Sequence, residues 1–264
     1  MDYSNIRKEK YIVQGYTVID DEIVISAYNP GDPSKLYFYD KNKEKFKRSV
    51  TLNSKAHVGG VTYDDKNKII FVTGSLGRVM SFNKNDLKPI KNNISLEGIT
   101  NINMATIYYH NKKLYAATFG IRGKLFEIEY EYNKEEITLK SIKQIFKTGL
   151  ATQGIAFYKN YLVVSASYGK GVKSKLSIYD KDKNYKLVNK RTVVQSGLEG
   201  IYMDKEGFLT GIFEFGKQQV KNFGHIEALK INTQRYSPIN NTKMFLGTAA
   251  FEYNRNKKNK QKKK

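Results

Sequence analysis

The chain has 264 residues, with 46 Lys and Arg against 25 Asp and Glu, a formal charge of +21, 20 Tyr, 14 Phe, no Trp and no Cys. That is a globular composition, long enough for one large domain or two small ones, and rich in a residue that suits half-buried pleated surfaces. The missing cysteines exclude a disulfide framework, a thiolate zinc site and a cysteine nucleophile, and no run approaches 18 apolar residues, so no membrane-spanning helix is expected.

The amino-terminal MDYSNIRKEK lacks the apolar core of a secretory signal. This predicts a cytoplasmic protein, or an extracellular or cell-surface one if a leader was removed. VQGYTVIDDEIVISAYN from Val13 predicts two strands around an Asp-Asp turn, and KLYFYDKNKEKFKRSVTL (35–52) predicts two more. The pattern then recurs. VGGVTYDDKNKIIFVTGSLG from Val58 leads to RVMSFNKNDLKPI (78–90), and NMATIYYHNKKLYAATFG from Asn103 leads to KLFEIEYEYNKEEITLKSI (124–142). TQGIAFYKNYLVVSASYG from Thr152 leads to KLSIYDKDKNYKLV (175–188). LEGIYMDKEGFLTGIFEFG from Leu198 leads to HIEALKINTQRYSPI (225–239), in which His225 begins a third strand.

Aligned on the residue before a small one, the repeats start at Gln14, Gly59, Met104, Gln153 and Glu199, at intervals of 45, 45, 49 and 46 residues. Units of about 40–50 residues with four short strands each are propeller blades. The expected fold is all-β, a single five-bladed β-propeller of four-stranded antiparallel blades over residues 1–253, with too little chain left for a sixth blade. MFLGTAAFEYN (244–254) reads as one further strand and YSNIRK (3–8) as another, either of which could close the ring. Residues 254–264 read as a disordered Lys-rich tail. The tail holds seven cations and no acid, which leaves +14 of the +21 to the rest of the chain.

Gly15, Gly60, Ala105, Gly154 and Gly200 mark the first strand of each repeat as the innermost, because side chains would crowd at the axis. The loops entering first strands and the loops joining second to third strands then open on one face. The incoming loops carry Gln14, His57, Asn103, Gln153 and Glu199. The others carry Tyr28 with Asn29, Ser75 with Arg78, Phe119 with Arg122, Ser167 with Tyr168, and Glu214 with Phe215. A few convergent polar groups around a central mouth are what a ligand site needs. The candidate ligand-binding set is Gln14, Tyr28, Asn29, His57, Arg78, Asn103, Arg122, Gln153, Tyr168 and Glu199.

Each has a plainer alternative. The amides of Gln14, Asn103 and Gln153 could tie blade to blade through backbone groups. A carboxylate near the axis is costly without a cation, a metal or a ligand, and Glu199 could pair with Arg78 or Arg122. His57 could be a loop histidine bonded to backbone. His110 reads as a turn residue on the opposite face.

The order of small residue, apolar strand, Asp-rich turn and apolar strand resembles the bacterial β-propeller repeat proteins of the NHL-repeat, gluconolactonase-like and streptogramin-lyase-like group. The gluconolactonase-like resemblance implies a divalent cation at the axis. Glu199 and Asn103 would be its metal ligands, although no axial Asp completes the set. Streptogramin-lyase-like propellers use a histidine pair, and only His57 stands at a suitable place here. His57 and Glu199 are the candidate catalytic residues of that reading, a metal-assisted lyase or lactone hydrolase. VQGYTVIDDEIVIS also resembles segments of helveticin-like bacteriocin propellers, which act at cell surfaces. The leading expectation is a monomeric, non-enzymatic binding propeller that uses its axial loop face and needs no cofactor. The basic charge favours an anionic small molecule or polymer, such as a cell-wall polymer or nucleic acid. A protein-interaction scaffold is the third expectation.

Overall fold

The computed structural model describes residues 3–99, 103–193, 195–214 and 220–231. Strands β1 (Ile12–Ile19), β2 (Glu22–Asn29), β3 (Asp32–Asp40) and β4 (Lys45–Thr51) form the first blade. The second holds β5 (Val61–Asp64), β6 (Ile69–Thr73) and β7 (Val79–Asn83), followed by a two-residue strand β8 (Lys91–Asn92). The third holds β9 (Met104–His110), β10 (Lys113–Thr118), β11 (Gly123–Tyr132) and β12 (Glu136–Gly149). The fourth holds β13 (Thr152–Tyr158), β14 (Tyr161–Ala166), β15 (Lys175–Asp180) and β16 (Lys186–Thr192). The fifth holds β17 (Leu198–Met203), β18 (Phe208–Phe213) and β19 (Val220–His225). Neighbouring strands within each blade pair antiparallel, and the five sheets form a five-bladed β-propeller.

The apolar runs in these strands are nearly continuous because each blade is packed on both faces. Successive side chains alternate between two interfaces. Ile23, Ile25 and Ala27 of β2 join Ile212 of the fifth blade in one cluster, while Val24 joins Val61, Ile70 and Val72 of the second blade in another. Five such clusters fill the five gaps between blades, and the one containing Ile212 closes the ring. At the axis β1 packs against β5 and β17, and β9 packs against β5 and β13. The first strand of each repeat is therefore the innermost, as the small residues require. A Cβ on Gly60 would lie 2.5 Å from the backbone nitrogen of Ile107, and one on Gly200 would lie 2.8 Å from that of Tyr16.

Four expectations need correction. YSNIRK forms helix α1 (Ser4–Lys8), whose Ile6 is buried on the first blade and whose preceding Tyr3 packs edge-on against Tyr39 at 4.7 Å. His225 ends β19, and the residues after it form helix α2 (Ile226–Ile231), not a strand. Asn189 and Arg191 of β16 donate to the Leu229 carbonyl, which ends that helix against the fourth blade.

The second blade has no complete fourth strand. Pro89, which lacks an N–H, leaves only isolated bridges to Phe82 and between Arg78 and Ser95, and β8 pairs parallel with β12 of the next blade. Finally, the third repeat is displaced by one residue. Thr106 pairs with Ala117 as Gly15 pairs with Ser26, so Thr106 and not Ala105 holds the glycine position. MFLGTAAFEYN and the Lys-rich tail lie outside the described residues. Among the described residues no helix is long and apolar enough to cross a membrane.

Candidate axial binding site

The register of the inner hairpins shows how the mouth is built. In the first blade Val13 faces Ala27 but Gly15 faces Ser26, so Gln14 is an extra residue in β1. Gln153 is the extra residue in β13, where Thr152 faces Ala166 and Gly154 faces Ser165. The same irregularity spans Leu198 to Ile201 and contains Glu199. A bulge leaves one residue outside the ladder and re-aims its side chain, which is why bulges gather at rims and sites. The equivalent residue is Ala105 in the third blade. In the second it is Gly59, where a Cβ would strike the carbonyl oxygen of Ala105. The polar side chains thus come from one arc of the ring, blades four, five and one.

The ties between blades are made by hydroxyls. Ser26 Oγ accepts from the Gly15 N–H (2.9 Å) and donates to the Val58 carbonyl (2.7 Å). Within the second blade Thr73 Oγ1 accepts from the Gly60 N–H, and between the fourth and fifth blades Ser167 Oγ accepts from the N–H of Gly197 and Ser174 Oγ from that of Leu198. Among the described residues, the amides of Gln14 and Gln153 make no hydrogen bond to protein. Their bridging alternative is thereby removed.

Glu199 is the sharpest feature. It is 3% exposed, yet among the described residues its carboxyl has no hydrogen bond and no ion pair. Other buried acids are satisfied. Glu22 accepts two hydrogen bonds from Arg48 (2.6 and 3.0 Å) and an ion pair from Lys47 (2.6 Å). Burial raises that carboxyl, but the two cations outweigh it and hold it at about 2. Asp64 accepts from the backbone N–H groups of Lys66 and Asn67 and from the Tyr130 hydroxyl. Glu199 has only the penalty. Burial, and after it the charge of Glu214, push its carboxyl up to about 8.

Glu214 follows β18 and donates its backbone N–H to the Gly197 carbonyl (2.8 Å), and burial raises its carboxyl as well. Burial first, then Glu214 and Glu199, raise the Tyr28 phenol. The Tyr28 ring lies 4.1 Å from the imidazole of His57, and partial burial lowers the His57 pKa. Blades five, one and two therefore bring Glu199, Glu214, Tyr28 and His57 to one part of the mouth. Glu214 joins the set from the structure.

The remaining candidates stand apart. Arg78 pairs with Glu97 at 3.0 Å, Arg122 is exposed, and neither meets Glu199. Asn29 donates to Asp32 within its own turn (2.8 Å). Asn103 is exposed just before β9, where its carbonyl accepts from the Phe119 N–H. Tyr168 is 52% exposed at the rim. His110 stacks on Phe157 (5.1 Å) at the far end of β9, where burial and then Lys181 lower it to about 4.

With Asn103 outside the cluster, and no three His, Asp or Glu gathered among the described residues, the donor set for a gluconolactonase-like cation is incomplete.

No family model and no curated protein matches the chain. Solved structures do. The chain is similar to Myxococcus xanthus glutaminyl cyclase over 80% of its own length and 90% of that chain, at 11% identity and a TM-score of 0.55. A Bacteroides thetaiotaomicron protein of unknown function is similar over 75% of this chain and 55% of that one, at 13% identity and a TM-score of 0.50. Kuenenia stuttgartiensis hydrazine synthase is similar over 80% and 61%, at 11% identity and a TM-score of 0.47. The chain spans less than two thirds of each of the last two. These neighbours are β-propeller proteins, and at such identities the likeness is one of fold alone.

Proposed function

We propose that the protein is a binding propeller whose ligand presents a protonated amine, or another strong donor, to Glu199 at the mouth of the ring. One observation carries this reading. Among the described residues, a buried carboxyl with no hydrogen bond or ion pair sits on a bulge of β17, which packs between β1 and β13, the strands that carry Gln14 and Gln153. An isolated buried acid is unfavourable, and a cationic donor arriving with the ligand relieves that penalty. Part of the basic charge lies away from the mouth. Lys45, Lys143, Lys147, Lys186 and Lys190 are exposed on outer strands, and a polyanionic partner fits there better than beside Glu199 and Glu214.

Calorimetry with phenylalanine amide and its N-acetyl form at pH 7.5 tests the reading. The free amine is expected to bind at least tenfold more tightly, and Glu199→Gln to abolish the preference. Equal affinities, or a preference that survives in E199Q, contradict it.

A second reading, a lyase or lactone hydrolase, is favoured by the same carboxyl. An acid that titrates at about 8 can both give and take a proton near neutrality, and His57 is close by through Tyr28.

A further inference from the structure

Ten large hydrophobic side chains are exposed among the described residues, and seven of them stand in loops on the mouth face. They follow a pattern. Leu76 belongs to the β6–β7 loop, Phe119 and Ile121 (81% exposed) to the β10–β11 loop, Leu150 to the loop entering β13, and Tyr168 to the β14–β15 loop. They occupy blades two, three and four, while the acids belong to the fifth blade.

The loops of blades three to five form a continuous surface, because each is hydrogen-bonded to the next. The Ala151 N–H donates to the Gly120 carbonyl, the Ser167 N–H to that of Ala151, the Gly197 N–H to Ser167 Oγ, and the Glu214 N–H to the Gly197 carbonyl. The loops that carry Phe119, Leu150 and Tyr168 are thus joined through hydrogen bonds to the acidic centre. Large apolar side chains exposed together on neighbouring loops of one face mark an interaction site.

We infer that the mouth receives the amino-terminal end of an extended polypeptide, its ammonium group at Glu199 and Glu214 and its first apolar side chains on the rim of blades three and four. This rests on the axial reading proposed above. The charges decide the polarity, since the centre is acidic while the rim loops carry apolar side chains together with the exposed cations Arg122, Lys170 and Lys173, which repel an ammonium group. The dimensions agree. The rim loops join second to third strands, one to two strand spacings of about 4.8 Å out from the inner strand. Two or three extended residues at about 3.3 Å each cover that span. The partner is therefore a peptide with a free amino terminus followed by apolar residues, and a single amino acid would use only the centre.

The test uses the full chain, immobilised, and a synthetic tetrapeptide amide library without Lys or Arg, supplied with free and with acetylated amino termini. The retained peptides are expected to be apolar at their first three positions and at least tenfold depleted by acetylation. Phe119→Ser combined with Tyr168→Ser, both exposed positions, is expected to weaken a retained peptide at least tenfold while phenylalanine amide binds as before and the melting temperature is unchanged. If phenylalanine amide binds but no apolar peptide is enriched, or the rim variant binds peptides normally, the peptide inference fails and the axial reading stands. If acetylation and E199Q have no effect on either ligand, both fail.

Discussion

Glu199 shows what one residue can disclose when its neighbours supply the comparison. Glu22 and Glu199 are both buried glutamates, yet cations hold the first at about 2 while burial and Glu214 carry the second to about 8. A carboxyl whose folded value lies above its unfolded value binds its proton more tightly in the native state. Between about pH 4.5 and 8 the folded protein therefore holds more protons than the unfolded chain, and stability falls as pH rises through that window. Glu214 and Tyr28, which face it, move in the same sense. Glu199→Gln removes the charge at nearly constant shape. It should leave the melting temperature at pH 5 almost unchanged and raise it at pH 8 by about 5–10 °C, corresponding to roughly 2–4 kcal/mol. A thermal scan of both proteins at the two pH values checks this, and equal shifts at both values would sink it. The sequence exposed Glu199 because four other repeats showed what its position usually holds. It could not show that Arg78 turns away to Glu97, because a guanidinium's partner depends on loop geometry.

At the scale of the element, the inner strands are governed by crowding and by register. Gly60 faces Thr106 and Ile107 of the next blade through backbone, which cannot yield as a flexible side chain does. Gly60→Ala should therefore destabilise the protein by about 1–3 kcal/mol, read as a lower urea midpoint. Gly31, with φ +95 in an open turn and nothing within 4 Å of its Cβ, provides a control in which only the backbone term acts. The repeated hairpins were legible because each blade is buried on two faces and its apolar strands alternate with polar turns.

The one-residue displacement in the third repeat was also recoverable. Counting four back from the residue before the turn leads from Ile19 to Gly15, from Tyr158 to Gly154 and from His110 to Thr106. The turn fixes register more firmly than a small residue does, and Asn111 and Lys112 at φ 49 and 64 mark that turn. The two helices were harder to read. Tyr3 and Ile6, and likewise Ile226 and Leu229, are buried pairs three residues apart, and in windows of five or six residues that spacing does not separate helix from strand.

As a whole molecule, the propeller closes by packing its fifth blade on its first. Gly200 lies against Gly15 and Tyr16, Tyr16 meets Tyr202 edge-on at 6.2 Å, and Ile212 joins the first blade's cluster. Among the described residues no strand from one terminus completes the blade at the other. The ring is nevertheless asymmetric. Glycine and alanine at the bulge positions of blades two and three leave one arc small, whereas blades four, five and one supply Gln153, Glu199 and Gln14. With the exposed apolar side chains of the rim loops, that asymmetry gives the mouth an acidic, hydrogen-bonding side distinct from a partly apolar one, the arrangement on which the proposed separation of a ligand's charged head from its apolar body rests.

Among the described residues Glu199 is a buried acid with no hydrogen bond or ion pair, and the proposed ligand supplies its cation. A carbon-13 NMR titration of the glutamate side-chain carboxyls, with E199Q identifying the resonance, tests it most directly when run with and without phenylalanine amide. The expected midpoint is about 8 in the free protein, moving down toward the ordinary carboxylate range when the amine is present. A midpoint at the ordinary value in the free protein, or one the amine leaves in place, would contradict it.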